Sequence, residues 1–278
     1  MNALFPDDDI LDDFDDDEPR DAHPRFARNL YGHQNIEEQL LSHYANDSMP
    51  GAYMLTGPRG IGKATLAYRF ARFLLHQSDA KMEAAGGLFG DELPSAVHQN
   101  LDIPEGSDAA RRIEVGSHSD MLVIEPAFDE KKNKYKTEIS VEQIRKIGAF
   151  LSLTSAESAH KIVIIDPVDA LNRNAANAML KWLEEPPSDT LFFLVTHNAG
   201  AVLDTIRSRC RVIGIAAPEF NDFSRVITEG GLKIEEHLLN ELYVLSSGSA
   251  GVASELYIAG AHEWYDALLE LLLPHSLD

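Results

Sequence analysis

The stretch GPRGIGKATLAYR, residues 57–69, constrains this chain more than any other. It follows a short apolar run, GAYMLTG, and opens into KATLAYRFARFLLHQ, which sets Leu66, Phe70, Phe73 and Leu74 on one helical face. Strand, glycine loop and helix form the setting that a phosphate-binding loop requires. Gly57, Gly60 and Gly62 let backbone N–H groups turn inward, while Lys63 and the helix N-terminus add positive potential where phosphate oxygens would lie.

The rest of the chain supplies a frame for that loop. HKIVIIDPVDAL and TLFFLVTHN are continuous apolar runs, suited to strands buried on both faces of a parallel sheet, and RVIGIAAP reads as a final strand. NLYGHQNIEEQLLSHYAND carries Ile36, Leu40, Leu41 and Tyr44 at helical spacing; VEQIRKIGAFLSLT, NRNAANAMLKWLEEPP and AVLDTIRSRC also read as helices. Paired prolines stop the third of these four. DMLVIEPAFDEKKNKYKTEIS reads as two strands bridged by a charged turn. Strands alternating with helices from Gly51 to Pro218 predict an α/β fold with a doubly wound parallel sheet. Residues 78–119 lose periodicity and gain Gly, Pro, Asp and Ser, predicting a mostly irregular insertion. Beyond Pro218 only helical patterns remain, so a small all-helical domain over 218–262 is expected.

Charge narrows the function classes. The net charge is −21, and nine acidic residues, Asp7 to Glu18, precede the first basic one. Removing those nine leaves −12, so the body is acidic too. A broad basic face for nucleic acid is thereby excluded, and any DNA contact has to be local or borrowed from partners. Residues 1–25 read as a solvated, disordered acidic tail, with Ile10, Leu11 and Phe14 as the anchors of any docking segment it contains. No apolar run reaches membrane-spanning length and the N-terminus is acidic where a secretory signal would be basic, which predicts a cytoplasmic protein with no membrane partner. The single cysteine, Cys210, excludes an internal disulfide and a thiolate zinc cluster.

Hydrolysis asks for more than a phosphate cradle. Magnesium is normally held by a hydroxyl directly after the loop lysine, and Ala64 stands there with no oxygen to offer. Thr65 comes one place late, turned about 100° away round the helix, and reads as an ordinary helix residue. An acidic pair is also needed at the end of a buried strand. Asp166 fills the first position, but Pro167 takes the second and can neither accept a proton nor orient a water. Asp169 is the nearby substitute, though it reads more naturally as a helix-start residue. Both losses weaken the same reaction. The retained glycines, Lys63 and Asp166 still leave room for ATP or ADP.

The blocks GPRGIGKATLA, ISVEQIRKIGAFL, NRNAANAMLKWLEEPP, FFLVTHN and TIRSRC occur in the order in which they resemble the AAA+ subunits of bacterial clamp loaders, and among them the delta-prime type in its alphaproteobacterial form. The resemblance runs from about Leu30 to Gly260. It implies an AAA+ phosphate-loop domain over 26–217 followed by the helical lid. It also implies that Arg209, in Ser-Arg-Cys, is an arginine finger reaching in trans to the nucleotide of a neighbouring motor subunit. The plainer reading is a surface arginine near Asp204, with Arg207 and Arg211 as ordinary phosphate or carboxylate partners. Thr196 falls where the family senses the γ-phosphate, or simply ends a strand. Gly251 stands where active relatives carry a second sensing arginine. The family's four-cysteine zinc site has no counterpart, so no zinc or other metal is expected, and residues 263–278 read as the start of a truncated collar. The implied partners are gamma/tau-type motor subunits and the delta subunit, with the sliding clamp and primed DNA met through the complex. The implied function is that of a non-hydrolysing subunit; the alternatives are an active AAA+ ATPase, using Thr65 and Asp169 as replacements, or a nucleotide-binding scaffold outside replication.

Overall fold

Apolar side chains alternate along each central strand, and that alternation builds two cores on opposite faces of one sheet. The computed structural model describes residues 23–85, 98–104, 106–153, 158–261 and 264. Strands β1 (Ala52–Thr56), β2 (Met121–Ile124), β5 (Lys161–Ile165), β6 (Thr190–Thr196) and β7 (Arg211–Gly214) form a parallel sheet in the order β2-β5-β6-β1-β7. Tyr53, Leu55, Ile162, Ile164, Leu191 and Phe193 point to one face, where they meet α1 (Gln34–Ala45), α2 (Lys63–Ala85) and α3 (Asp108–Glu114). Met54, Val163, Ile165, Phe192 and Leu194 point to the other, against α4 (Val141–Ser152), α5 (Arg173–Glu184) and α6 (Asp204–Arg207). This is the doubly wound α/β sheet the alternating pattern predicts. A third core, around Phe223, Ile227, Leu242 and Ala253, joins α7 (Phe220–Glu229), α8 (Glu236–Leu245) and α9 (Ala250–Ile258) into the helical lid.

Three segments differ from the sequence reading. Met121–Ile124 is an edge strand of the main sheet, and the charged turn belongs to a separate antiparallel hairpin, β3 (Phe128–Asp129) with β4 (Lys134–Tyr135). Within 78–119, α2 continues to Ala85 and α3 begins at Asp108, capped by Ser107, whose side chain accepts from the Ala110 amide. Good helix formers in DAKMEAA carry α2 onward before glycines appear. The described chain also starts inside the segment read as tail. His23 lies 3.3 Å from a Glu125 carboxylate oxygen, and the Arg72 guanidinium donates to the carbonyls of Pro24, Arg25 and Ala27. The acidic run itself and residues 263 and 265–278 lie outside the described residues. No helix among those residues is long and apolar enough to cross a membrane.

Candidate functional site

The phosphate loop leaves the C-terminal end of β1, and its glycines hold backbone that other residues resist. Gly57, Gly60 and Gly62 have φ of 151°, 74° and 99°. A Cβ at Gly57 would sit 2.2 Å from the Ile215 carbonyl oxygen, so the loop must pass that strand end as bare backbone. The His33 ring Nε2 donates to the Ile61 carbonyl at 2.7 Å and fixes the loop from beneath.

Lys63 starts α2 and is almost fully buried, but its ammonium is turned back on the loop. It donates to the carbonyl of Gly57 at 2.8 Å and to that of Pro58. Burial lowers its pKa to about 8, against the opposing pull of Asp166 and Asp169. Ala64 and Thr65 follow in the first turn of α2, both half-buried.

The acidic end of the site lies beside it. Asp166 follows β5 directly, and burial, reinforced by Glu125, raises its pKa to about 6 while Lys63 and His23 oppose the shift. Glu125 is a neighbour the sequence reading missed; it stands one residue past the end of β2, where strand pairing brings it level with Asp166. Pro167 separates Asp166 from a short turn of 3-10 helix, Val168–Ala170. There Asp169 accepts from the His197 amide at 3.1 Å, tying that turn to the end of β6. Thr196 closes β6 fully buried, and its hydroxyl oxygen accepts from the Asn198 amide.

Helix α9 lies against the loop. The N-cap of α9, Ser249, donates from its hydroxyl to the Arg59 carbonyl at 2.7 Å, and the Gly251 amide donates to the Gly60 carbonyl at 2.9 Å. Arg59 pairs with Glu255 at 2.8 Å. Helix α9 thus sets its amide end on loop carbonyls. Gly251 has a reason to lack a side chain: a Cβ there would lie 2.8 Å from the Gly60 Cα. The sequence reading takes position 251 as lacking a cation; its backbone packing on Gly60 was not legible, because a contact between two glycines leaves no periodic signal.

Arg209 lies elsewhere. It sits between α6 and β7, exposed, where its guanidinium donates to the Thr205 carbonyl and to Glu184, both at 2.8 Å. Asp204 pairs instead with Arg207, at 2.6 Å. Because β7 runs parallel to β1, with Arg211 opposite Tyr53 and Gly214 opposite Thr56, Arg209 precedes the start of one strand while the phosphate loop follows the end of the other. Four strand residues, roughly 13 Å, separate the two ends. The loop glycines, Lys63, Asp166 and Thr196 therefore gather at one end of the sheet, and Arg209 stands at the other.

Comparison with known proteins gives concordant matches. The sequence profile of the family described as "DNA polymerase III, delta subunit" matches residues 32–219. DNA polymerase III subunit delta' of Pseudomonas aeruginosa is 34% identical over 212 residues, covering 76% of this chain and 57% of the relative. Its Bacillus subtilis counterpart is 32% identical over 196 residues, covering 70% and 48%. DNA polymerase III subunit gamma of Buchnera aphidicola is 28% identical over 249 residues, covering 86% and 59%. Among solved structures, a gamma subunit-related protein of Thermotoga maritima aligns at 22% identity with a TM-score of 0.44, covering 86% of this chain and 68% of that one. The chain spans about half the length of the delta' relatives it matches.

Proposed function

Since the chain belongs to the delta-prime family of DNA polymerase III subunits, we propose that it serves as a non-hydrolysing member of a clamp loader in replication. It presents Arg209 in trans to the nucleotide of a neighbouring gamma/tau-type motor subunit, in an assembly that also holds the delta subunit and acts on a sliding clamp and primed DNA. One observation carries this reading: the glycine loop, in contact with α9, and the exposed Arg209 lie at opposite ends of the sheet. Arg209 is too far along the sheet to serve its own loop. A guanidinium that spreads its charge over several donors suits a transferring phosphoryl group across an interface.

The chain's own chemistry supports the same reading. Ala64 gives magnesium no hydroxyl, Pro167 gives water no base, and Asp169 is engaged with the His197 amide. The glycines and Lys63 would hold the phosphates of any ATP or ADP that entered, with Asp166 turned toward a magnesium ion accompanying it, and Lys63 would have to release the Gly57 and Pro58 carbonyls to do so.

The test has two parts. Alone with magnesium and ATP, the chain is expected to show no steady turnover; turnover that Lys63→Ala abolishes would establish the active-ATPase reading instead. Mixed with a gamma-type motor subunit, delta, clamp and primed DNA, the Arg209→Ala variant is expected to assemble normally and depress the motor's turnover several-fold. Trans-acting arginines contribute on the order of a thousandfold at a single site in other NTPases. Unchanged turnover in the assembled variant rejects the finger.

A further inference from the structure

The β3–β4 hairpin plays no part in the nucleotide chemistry, and it breaks the charge pattern of the whole chain. Four of the ten lysines, Lys131, Lys132, Lys134 and Lys136, fall within six positions of a polypeptide whose net charge is −21. All four are exposed, and none enters an ion pair among the described residues. Against Asp129 and Glu130 the hairpin keeps an excess of two positive charges. Its aromatics are exposed as well: Phe128 is 47% and Tyr135 64% accessible, although each is large enough to repay burial. They form a cross-strand pair with ring centroids 5.2 Å apart, edge to face. Phe128, Lys131 and Lys136 line one shallow concavity together with Asp129 and Glu130. The hairpin follows the C-terminal end of β2, the edge strand farthest from β7 in the sheet order.

We propose that this hairpin is a contact site for single-stranded nucleic acid, its lysines on the phosphate backbone and its aromatic pair offering a platform for an unstacked base. Lysines alone would suit any acidic surface. The exposed rings favour nucleic acid, because every base has a π-face to stack on them. A local patch of this kind is the form of contact open to a chain whose net charge is strongly negative.

The test uses the whole chain and a fluorescein-labelled thirty-nucleotide oligothymidylate, followed by anisotropy across a salt series. The wild type is expected to bind at low salt. Changing all four lysines to Gln should weaken binding at least tenfold and flatten the slope of log K against log salt by roughly two to three. Tyr135→Ala should weaken binding about tenfold with the slope unchanged, since a ring releases no counterions. Both sites are exposed, and melting curves check that the variants stay folded. Three results would each overturn the proposal: no binding by the wild type, no loss in the lysine variant, or polyglutamate of equal charge competing as well as unlabelled oligothymidylate, which would make the hairpin a dock for acidic protein.

Discussion

A side chain at position 251 has nowhere to go. With 2.8 Å from a Cβ to the Gly60 Cα and 3.1 Å to the Gly60 oxygen, the obstacle is backbone, which cannot swing aside as a flexible side-chain tip can. Gly251→Arg should therefore destabilise the chain by ~1–3 kcal/mol, the usual cost of overpacking, measured as a lowered Tm. Gly214→Ala is the control: nothing lies within 4 Å of its added methyl, and its Tm should stay level or rise slightly. Cys210 makes a second prediction. Its thiol donates to the Ile206 carbonyl at 3.3 Å, and burial pushes its pKa up to about 12. Since thiolate is the reactive form, alkylation at pH 8 should be slow in the native chain and fast in urea. Because this thiol adjoins Arg209, rapid native labelling would mean that the turn holding the arginine opens readily.

Helix α9 depends on its first residues for two separate purposes. Ser249 caps it by accepting from the Val252 amide and in the same place holds the Arg59 carbonyl, with only 1% of its surface exposed. Ser107 caps α3 in the ordinary way, accepting from Ala110, and its side chain bonds to no other element among the described residues. Ser107→Ala should cost ~1 kcal/mol. Ser249→Ala should cost ~1 kcal/mol more, because it also strands a carbonyl at the closed lid; equal losses in urea melts would show that the lid contact adds nothing. The sequence foretold the elements well where one physical signal dominated. Continuous apolar runs marked β5 and β6, a glycine loop between strand and helix marked the site, and paired prolines marked the end of α5. It foretold the joins poorly. The hairpin was merged with β2 because a two-residue strand has no periodicity to detect, and Glu125 beside Asp166 depends on which strands are neighbours. The site was half legible for the same reason: Ala64 and Pro167 are losses visible in a motif, whereas Ser249, Glu255 and Glu184 matter through contacts between distant segments.

Among the described residues, the lid is tied to the rest of the molecule at α7 and at α9, and the two ties differ in kind. At α7, Glu229 accepts from Asn29 and Tyr31 of the segment preceding α1, and the Arg225 guanidinium lies 4.4 Å from the centre of the Tyr31 ring. At α9 the ties are Ser249, Gly251 and Glu255 on the phosphate loop itself. Loosening the second set leaves the lid tethered by the first, so the loop is uncovered without the lid being lost. Nucleotide affinity should then rise. If closure competes with phosphate for the loop, the apparent affinity is the intrinsic one multiplied by the open fraction, and each ~1.4 kcal/mol removed from closure gives up to tenfold tighter binding while the closed form predominates. The Arg59–Glu255 pair is half-exposed and contributes little alone, so the double variant Ser249→Ala with Glu255→Ala is the informative one. A fluorescent ADP analogue should bind it several-fold to tenfold more tightly than the wild type. By reciprocity, saturating analogue should make the wild-type lid easier to cleave by protease. On the proposed reading the double variant should show no hydrolysis, since Ala64 and Pro167 are unchanged. Equal affinity in the two proteins would mean that the lid does not control access, and that the folded-back Lys63, rather than α9, keeps phosphate out.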